Sequence, residues 1–306
     1  MSVKTLKILP GIVLLTGLFV LFLAFSGLKN GCKQEQLQTG EEFFYGSVPL
    51  PEELNFAGEQ VPLERFDVTE SLDRELLSNA YFHSQTIRFL KMAPRYFSII
   101  DPILKENGVP ADFKYLCLAE SNFDERAVSP AGAVGLWQFM KNTATEYGLE
   151  INKEVDERYH IEKTTAAACK YLLESYQKYG SWALVAASYN AGRSFISNQA
   201  ERQKTNGYYD LLLGEETARY VFRIMALKII MENPEKYGFQ VPDKEKYPVI
   251  ETKTIGITGA VPNFADFAKQ HSISYKMLKQ FNPWLRESYL TNPSGKTYQV
   301  KIPVLK

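Results

Sequence analysis

The chain is poor in cysteine and histidine and carries no excess charge of either sign. Its 306 residues include 3 cysteines and 3 histidines, and 35 lysines and arginines balance 35 aspartates and glutamates. Three cysteines are too few for a disulfide scaffold, and the scattered histidines, without a paired-ligand motif, predict no zinc site. No calcium loop or nucleotide-type glycine loop occurs, so neither a metal nor a cofactor is expected. Without a basic run, nucleic acid is not an expected partner, because its binding requires phosphate neutralisation.

One long apolar run stands at the N-terminus. Lysines precede a mainly apolar stretch over residues 8–28, which is typical of a secretory signal or an uncleaved membrane anchor. Residues 24–26 offer a small-x-small cleavage site, and Cys32 offers a lipidation site behind a poor lipobox. All three alternatives export the rest of the chain, so residues 1–28 are interpreted as a signal or anchor segment that meets the membrane if uncleaved.

Composition divides the remaining chain into three parts. Residues 29–66 are rich in Gln, Glu, Gly and Pro and are predicted to be a linker. Residues 67–240 have helical periodicity almost throughout. From residue 241 to residue 306, β-branched runs alternate with short helical patterns in a strand–helix–helix–strand order. The predicted fold class is therefore mainly α, with a small α+β domain at the C-terminus.

Within the helical part, apolar spacing and breakers predict the individual helices. The predicted helices cover residues 71–92, 94–104, 110–119, 143–148, 164–179, 182–190 and 217–231. Pro94 and Pro110 are both interpreted as first helical positions, which proline suits.

A glutamate near the end of one predicted helix carries the most information. Phe113, Leu116, Cys117 and Glu120 are spaced at i, i+3, i+4 and i+7 and share one face. Because the other three are apolar, we expect the carboxyl of Glu120 to be desolvated, which raises its pKa and favours a proton-carrying acid. Glycosidic bond cleavage needs a general acid. From this segment alone, a glutamate that merely hydrogen-bonds the next loop is an equal alternative.

A second carboxyl, which most glycosidases need, is not fixed by the residues themselves. Candidates by position are Asp124, Glu125, Asp156 and Glu157. Asp156 and Glu157 are followed by Arg158, and mixed charges of this kind are more typical of a solvated or ion-paired loop.

Further motifs follow Glu120 in a fixed order. They are Glu120-Ser121, Gly135-Leu136-Trp137-Gln138, Ala187-Ser188-Tyr189-Asn190-Ala191-Gly192 and Glu216-Thr217-Ala218-Arg219-Tyr220. Over residues 95–230 this pattern resembles the lytic transglycosylases of the soluble-lytic-transglycosylase (goose-lysozyme-like) class. The resemblance implies a lysozyme-like helical domain in an enzyme of the bacterial cell envelope. It would cleave the MurNAc-β-1,4-GlcNAc bond of peptidoglycan glycan strands without water and leave 1,6-anhydro-MurNAc ends.

The resemblance also implies roles for the matched residues. Glu120 would act first as acid and then as base, so that no second carboxylate is required. The expected substrate-contacting residues are Ser121, Gln138, Tyr189, Asn190 and Tyr220. Ser121 would steady the carboxyl or the N-acetyl group of the substrate, although a serine that bonds only to its own helix fits equally well. Tyr189 would orient Glu120 or touch the acetamido group.

Three residues around Gln138 are interpreted from their side chains. Gly132 and Gly135 would let the backbone approach the glycan closely. Trp137 is expected to belong to the core rather than to stack on a sugar.

The C-terminal part resembles a degenerate LysM-type glycan-binding module. Thr258-Gly259-Ala260 stands where the usual Gly-Asp-Thr turn is expected, so a capping domain without a ligand is an alternative. For the whole chain, the alternatives are a goose-type lysozyme-like hydrolase and an inactive peptidoglycan-binding or scaffold protein. The presence of Glu120, Gln138 and Asn190 together speaks against an inactive copy.

Overall fold

A computed structural model describes residues 46–304 of the chain, and helices dominate them. The helices of the first part are α1 (Phe66–Ala80), α2 (His83–Glu106), α3 (Phe113–Ser121), α4 (Lys141–Glu146), α5 (Ile161–Tyr179), α6 (Trp182–Ala191), α7 (Arg193–Gln203) and α8 (Glu215–Glu232). A short hairpin precedes them, formed by β1 (Asn55–Phe56) and β2 (Glu59–Gln60). The C-terminal part consists of β3 (Thr252–Ile257), α9 (Phe264–Gln270), α10 (Tyr275–Phe281) and β4 (Tyr298–Pro303). The predicted fold class is confirmed.

The predicted signal or anchor segment, residues 1–28, and Cys32 lie outside the described residues. Between residues 46 and 304, no helix combines the length and the apolarity that crossing a bilayer requires.

Helix α3 lies at the centre of the helical part. It packs against α2 and α8, and α8 also packs against α1 and α6. The predicted apolar face of α3 is confirmed, because Phe113, Leu116 and Cys117 are fully buried. Burial of a large apolar side chain contributes roughly 1.5–3 kcal/mol, so this face fixes α3 against its neighbours.

The helix boundary predicted at Pro94 is wrong. Pro94 lies inside α2, which begins at His83 and continues to Glu106. A proline within a helix removes one backbone hydrogen bond, but Phe89 and Ile100 on either side are buried in the core and keep the helix continuous.

The start predicted for α3 at Pro110 is also wrong. Residues 110–112 form a turn in which the N–H of Phe113 donates to the carbonyl of Pro110 at 3.1 Å. The Asp112 carboxylate accepts a hydrogen bond from the N–H of Ala57 at 2.7 Å and pairs with Lys228 at 2.9 Å. These tertiary contacts hold the turn, and the helix begins at Phe113.

The last part of the predicted linker, residues 46–65, is folded against the helices. Strands β1 and β2 pair in antiparallel fashion, and Phe56 and Val61 are each 1% exposed. The Glu59 carboxylate accepts a hydrogen bond from the N–H of Trp182 at 2.5 Å, at the start of α6. A few buried apolar side chains therefore overcome a polar, proline-rich composition.

The C-terminal part has the predicted strand–helix–helix–strand order, with β3 and β4 paired in antiparallel fashion. Its hydrophobic core is completed by side chains of the helical part. The members of this shared core include Val134, Val155 and Tyr159 from the helical part and Ile257, Phe264, Leu278, Trp284 and Leu285 from the C-terminal part. Backbone hydrogen bonds join the same surfaces, among them the N–H of Asp156 to the carbonyl of Trp284 at 2.9 Å. The two parts are thus continuous, and a domain boundary at residue 241 stays a prediction.

Candidate active site

Helix α3 ends in a strained turn that leaves Glu120 close to its terminus. Asn122 and Phe123 have φ angles of 53° and 58°, in the left-handed region that residues other than glycine rarely adopt. Arg88 of α2 holds the turn by donating to the Asn122 carbonyl at 3.0 Å. The Phe123 ring stacks on Tyr96 with centroids 5.0 Å apart. Backbone strain that surrounding contacts enforce is frequent at functional sites.

The carboxyl of Glu120 is desolvated without an ion pair among the described residues. Its side chain is half-buried, and desolvation raises its pKa to about 7. A hydrogen bond from Tyr220 and the charge of Arg223 lower the pKa, whereas the charge of Glu216 raises it. A group with this pKa can both donate and accept a proton near neutral pH. The raised pKa predicted from the apolar helix face is confirmed.

Two tyrosines lie beside Glu120, but they have different partners. The buried Tyr220 donates from its hydroxyl to Oε1 of Glu120. The Tyr189 hydroxyl donates to the carbonyl of Trp137 at 2.7 Å. Burial and the nearby charge of Glu120 raise the pKa of both phenols. In this structure Tyr220 makes the contact with the carboxyl, whereas Tyr189 ties α6 to the turn of Gln138. The expected contact of Tyr189 with the acetamido group stays a prediction.

Ser121 and Asn190 also bond within the protein. Ser121 is 4% exposed, and its hydroxyl donates to the Cys117 carbonyl at 3.1 Å. The serine therefore bonds to its own helix, and the expected contact with the carboxyl is not formed. Oδ1 of Asn190 accepts a hydrogen bond from the Thr217 hydroxyl at 2.9 Å, which joins the end of α6 to the start of α8.

Gln138 lies in a tight turn between α3 and α4. Its φ angle is 47°, and its Nε2 donates to the carbonyls of Gly135 at 2.8 Å and Ala127 at 3.3 Å. The amide nitrogen thus shapes its own turn, and the side-chain oxygen is the group that can reach a ligand. Trp137 is fully buried, and its Nε1 donates to the Thr165 hydroxyl at 2.9 Å. The expected core role of Trp137 is confirmed.

Gly135 is required by a neighbouring peptide of the protein. Its φ angle is +78°, and a Cβ at this position would lie 2.2 Å from the carbonyl oxygen of Arg158. Arg158 also donates from Nη1 to the Gly132 carbonyl at 3.1 Å and pairs with Asp156 at 2.7 Å. The expectation that Gly135 lets the backbone approach a glycan is corrected, because the group that lies against Gly135 is the Arg158 carbonyl. Gly132 has no atom within 4 Å of the Cβ position, so its predicted role is untouched.

Three of the four candidates for a second carboxyl are engaged or exposed. Asp156 is paired with Arg158, and the buried Glu157 is paired with Lys163. Asp124 is exposed. The ion-paired interpretation of this loop is confirmed. Across residues 46–304, no group of three or more His, Cys, Asp or Glu side chains is arranged to hold a metal ion.

Two charged residues at the site were not predicted. Glu216 and Arg223 both shift the pKa of Glu120. They stand at i−4 and i+3 from Tyr220 and so lie on its side of α8. Helical spacing from Tyr220 is the signal that could have found them.

Residues 97–212 match the family model of the transglycosylase SLT domain. Glu120, Gln138 and Tyr189 lie within the matched segment, and the predicted family resemblance is confirmed. Residues 253–306 match the soluble lytic transglycosylase C-terminal LysM-like domain, which confirms the LysM-like interpretation of the C-terminal part.

Two curated relatives are the membrane-bound lytic murein transglycosylases D of Escherichia coli K12 and of E. coli O6:H1. Each is 28% identical over 256 residues, which is 81% of this chain and 55% of the relative. The chain therefore spans about half the length of these relatives.

Solved structures of two SLT-type enzymes are similar over smaller shares. An inactive mutant of the lytic transglycosylase Slt from Pseudomonas aeruginosa has a TM-score of 0.38 and 20% identity, covering 50% of this chain and 26% of its own. The 70 kDa soluble lytic transglycosylase of E. coli has a TM-score of 0.41 and 17% identity, covering 56% and 34% respectively.

Proposed function

We propose that the chain is a peptidoglycan lytic transglycosylase of the bacterial cell envelope. It would cleave the MurNAc-β-1,4-GlcNAc bond of glycan strands non-hydrolytically, in cell-wall remodelling or turnover. The observation that carries this proposal is the carboxyl of Glu120, which has a pKa of about 7, no cation partner among the described residues and a hydrogen bond from Tyr220. The SLT match and the murein transglycosylase relatives support the substrate class.

The chemistry follows from one carboxyl used twice. Protonated Glu120 gives its proton to the oxygen that links MurNAc to GlcNAc, and the glycosidic bond breaks. The resulting carboxylate then takes the proton of the C6 hydroxyl of the same MurNAc, whose oxygen bonds to C1 and closes the anhydro ring. The proton lost in the first step is recovered in the second, and no water is consumed. Because Tyr220 holds Oε1, we assign the proton transfers to Oε2.

Other residues would position the glycan rather than react with it. We assign the free side-chain oxygen of Gln138 and the amide nitrogen of Asn190 to hydrogen bonds with hydroxyl or N-acetyl groups. Tyr189 would line the site with its ring while its hydroxyl holds the turn of Gln138. A substrate contact by Ser121 would require its hydroxyl to leave the Cys117 carbonyl.

The goose-type lysozyme alternative needs a second carboxylate to activate water. Asp156 is neutralised by Arg158, and Asp124 is exposed. Neither of these residues, nor the unpaired Glu125, contributes to the pKa shift of Glu120. This arrangement favours the single-carboxyl mechanism.

Mass analysis of sacculi digested with the purified protein tests the proposal. We expect anhydro ends, which are lighter by one water than hydrolysed reducing ends. Glu120→Gln should lower turnover by roughly 10³-fold, since a general acid contributes about 10²–10⁴-fold. Asp124→Asn is the matched control and should keep full activity. Reducing ends would instead indicate a lysozyme, and binding without turnover would indicate a scaffold protein.

A further inference from the structure

A cavity lies between the helical part and the C-terminal part, and Glu120 does not line it. Its volume is about 420 Å³, within the range of small-molecule sites. We name it the interface pocket. Its walls include Arg95, Tyr96, Glu125, Glu162, Phe281 and Lys301.

Glu125 is the group in the interface pocket whose bonding is incomplete. Its side chain is half-buried, yet no described residue donates a hydrogen bond to its carboxyl or forms an ion pair with it. Desolvation raises its pKa to about 7, and the charge of Asp124 adds to the rise. The charges of Arg126, Lys301 and Arg95 lower the pKa.

The two cations that line the pocket are held by contacts other than Glu125. Lys301 is paired with Glu162. Arg95 donates from Nε to the Pro248 carbonyl at 3.2 Å and lies 5.6 Å from the centre of the Tyr247 ring. Glu162 has its pKa lowered to about 2 by its bonds to His160 and Lys301, which outweigh its burial. Of the two carboxylates that line the pocket, Glu162 is therefore paired, and Glu125 is the one without an ion pair among the described residues.

The remaining walls are largely apolar. Tyr96 and Ile99 of α2 line the cavity together with Val249, Ile250 and Phe281, beside the polar Thr252, Thr254 and Gln280. Such walls suit a chain of methylene groups, because transfer of each methylene from water contributes about 0.8 kcal/mol. A ligand with an aliphatic chain and a terminal donor matches both properties of the pocket.

We propose that the interface pocket binds a primary ammonium at the end of an aliphatic chain, with Glu125 as its anionic partner. The charge-assisted hydrogen bonds of the ammonium would satisfy the carboxylate. This inference rests on the proposed function for its source of ligand. In peptidoglycan, the ammonium belongs to the side chain of a diamino acid in the peptide that MurNAc carries.

The position of the pocket fits such a peptide. Arg88, which holds the turn after Glu120, and Arg95, which lines the pocket, are two turns apart on α2. Two helical turns span roughly 11 Å. A short peptide attached to a sugar at Glu120 covers that distance, since an extended chain spans about 3.3–3.6 Å per residue.

Binding of a small probe tests the proposal with the full chain. The probe is Nα-acetyl-lysine amide, and Nα-acetyl-norleucine amide is its control without the ammonium. We expect the lysine probe to bind at least tenfold more tightly in calorimetry at pH 8. The preference should fall as the pH decreases through 7, because protonation removes the charge of Glu125.

Variants separate the pocket from the site of cleavage. Glu125→Gln keeps the shape of the side chain and should abolish the preference and its pH dependence. Asp124→Asn should retain the preference, with a pH dependence displaced to lower pH because the charge of Asp124 raises the pKa of Glu125. Glu120→Gln should retain both the preference and its pH dependence, so this result can be read independently of turnover. Equal binding of the two probes to the unsubstituted protein, or an unchanged preference in Glu125→Gln, would overturn the proposal.

A kinetic comparison tests the assignment to the peptide. Glu125→Gln should raise KM several-fold for glycan strands that carry peptides and leave KM unchanged for strands stripped by an amidase. A general defect of folding would affect both substrates, as would damage to Glu120. Equal changes on the two substrates would therefore overturn the assignment.

Discussion

Two regions of this molecule hold buried or half-buried acidic side chains, which lack ion pairs in one region and form them in the other. At and after the end of α3, Glu120 and Glu125 are desolvated without ion pairs, and the pKa of each is raised to about 7. In residues 150–163, Asp156 and Glu157 are more deeply buried but are paired with cations. The first region can therefore exchange protons near neutral pH, while the second forms ion pairs that organise the backbone. Pairing, rather than burial, distinguishes a reactive carboxyl from a structural one.

Breaking the pairing in the second region should have the largest effect on stability. Arg158→Ala leaves the buried Asp156 without its cation, with only the backbone N–H of residue 158 still donating to it, and frees the Gly132 carbonyl. Loss of one member of a buried ion pair costs about 3–5 kcal/mol, and urea denaturation measures it. Arg158→Lys keeps the charge but not the bidentate contact and should lose less. An alanine variant as stable as the unsubstituted protein would contradict the structural role.

Neutralising Glu120 in the first region should instead increase the free energy of unfolding. The ordinary pKa of Glu120 in an unfolded chain is 4.5 and its folded value is about 7, so the folded state favours the protonated form. The stability that this pKa shift contributes to the folded state is complete below pH 4.5 and is lost as the pH rises through 7. Glu120→Gln should therefore raise the free energy of unfolding by about 3 kcal/mol at pH 8 and change it little at pH 4. Denaturation at both pH values checks this difference, and an equal change at both would refute it.

The smallest expected effect is on the rate and its pH profile, and it distinguishes Tyr220 from Tyr189. Tyr220→Phe removes the hydrogen bond that lowers the pKa of Glu120, so the alkaline limb of the pH–rate profile should move to higher pH. We expect kcat to fall about tenfold, equivalent to about 1.4 kcal/mol of lost orientation. Tyr189→Phe should leave the limb in place, because its hydroxyl bonds to Trp137. Identical profiles for the two variants would show that neither hydroxyl tunes the carboxyl.

Elements with strong apolar periodicity were predicted well from the sequence, and those held by distant contacts were not. The bounds of α5, α6 and α8 lie within three residues of the prediction. Helix α7 was missed because its sequence is polar, with Ile196 as its buried residue. Residues 46–65 were missed because their folding depends on partners far along the chain, such as the start of α6.

In the candidate site, too, features set by local sequence were predicted and features set by distant contacts were not. The desolvation of Glu120 followed from the apolar side chains on its own helix. The choice between Tyr189 and Tyr220 could not, because it depends on how α6 and α8 cross α3. For Gly135, the sequence indicated a close approach, but its partner, the Arg158 carbonyl, is set by the tertiary fold.

The shared core has a consequence for how this protein can be recombined with its relatives. Val134, whose backbone pairs with that of Phe139 in the turn of Gln138, packs among side chains of the C-terminal part. A chimaera joined at residue 241 would set Val134, Val155 and Tyr159 against foreign side chains. Exchange of the last 66 residues alone would thus perturb the reaction centre. A tolerated graft must also transfer the loops around residues 134 and 150–159. These segments, although distant in sequence, therefore have to be exchanged together with the C-terminal part.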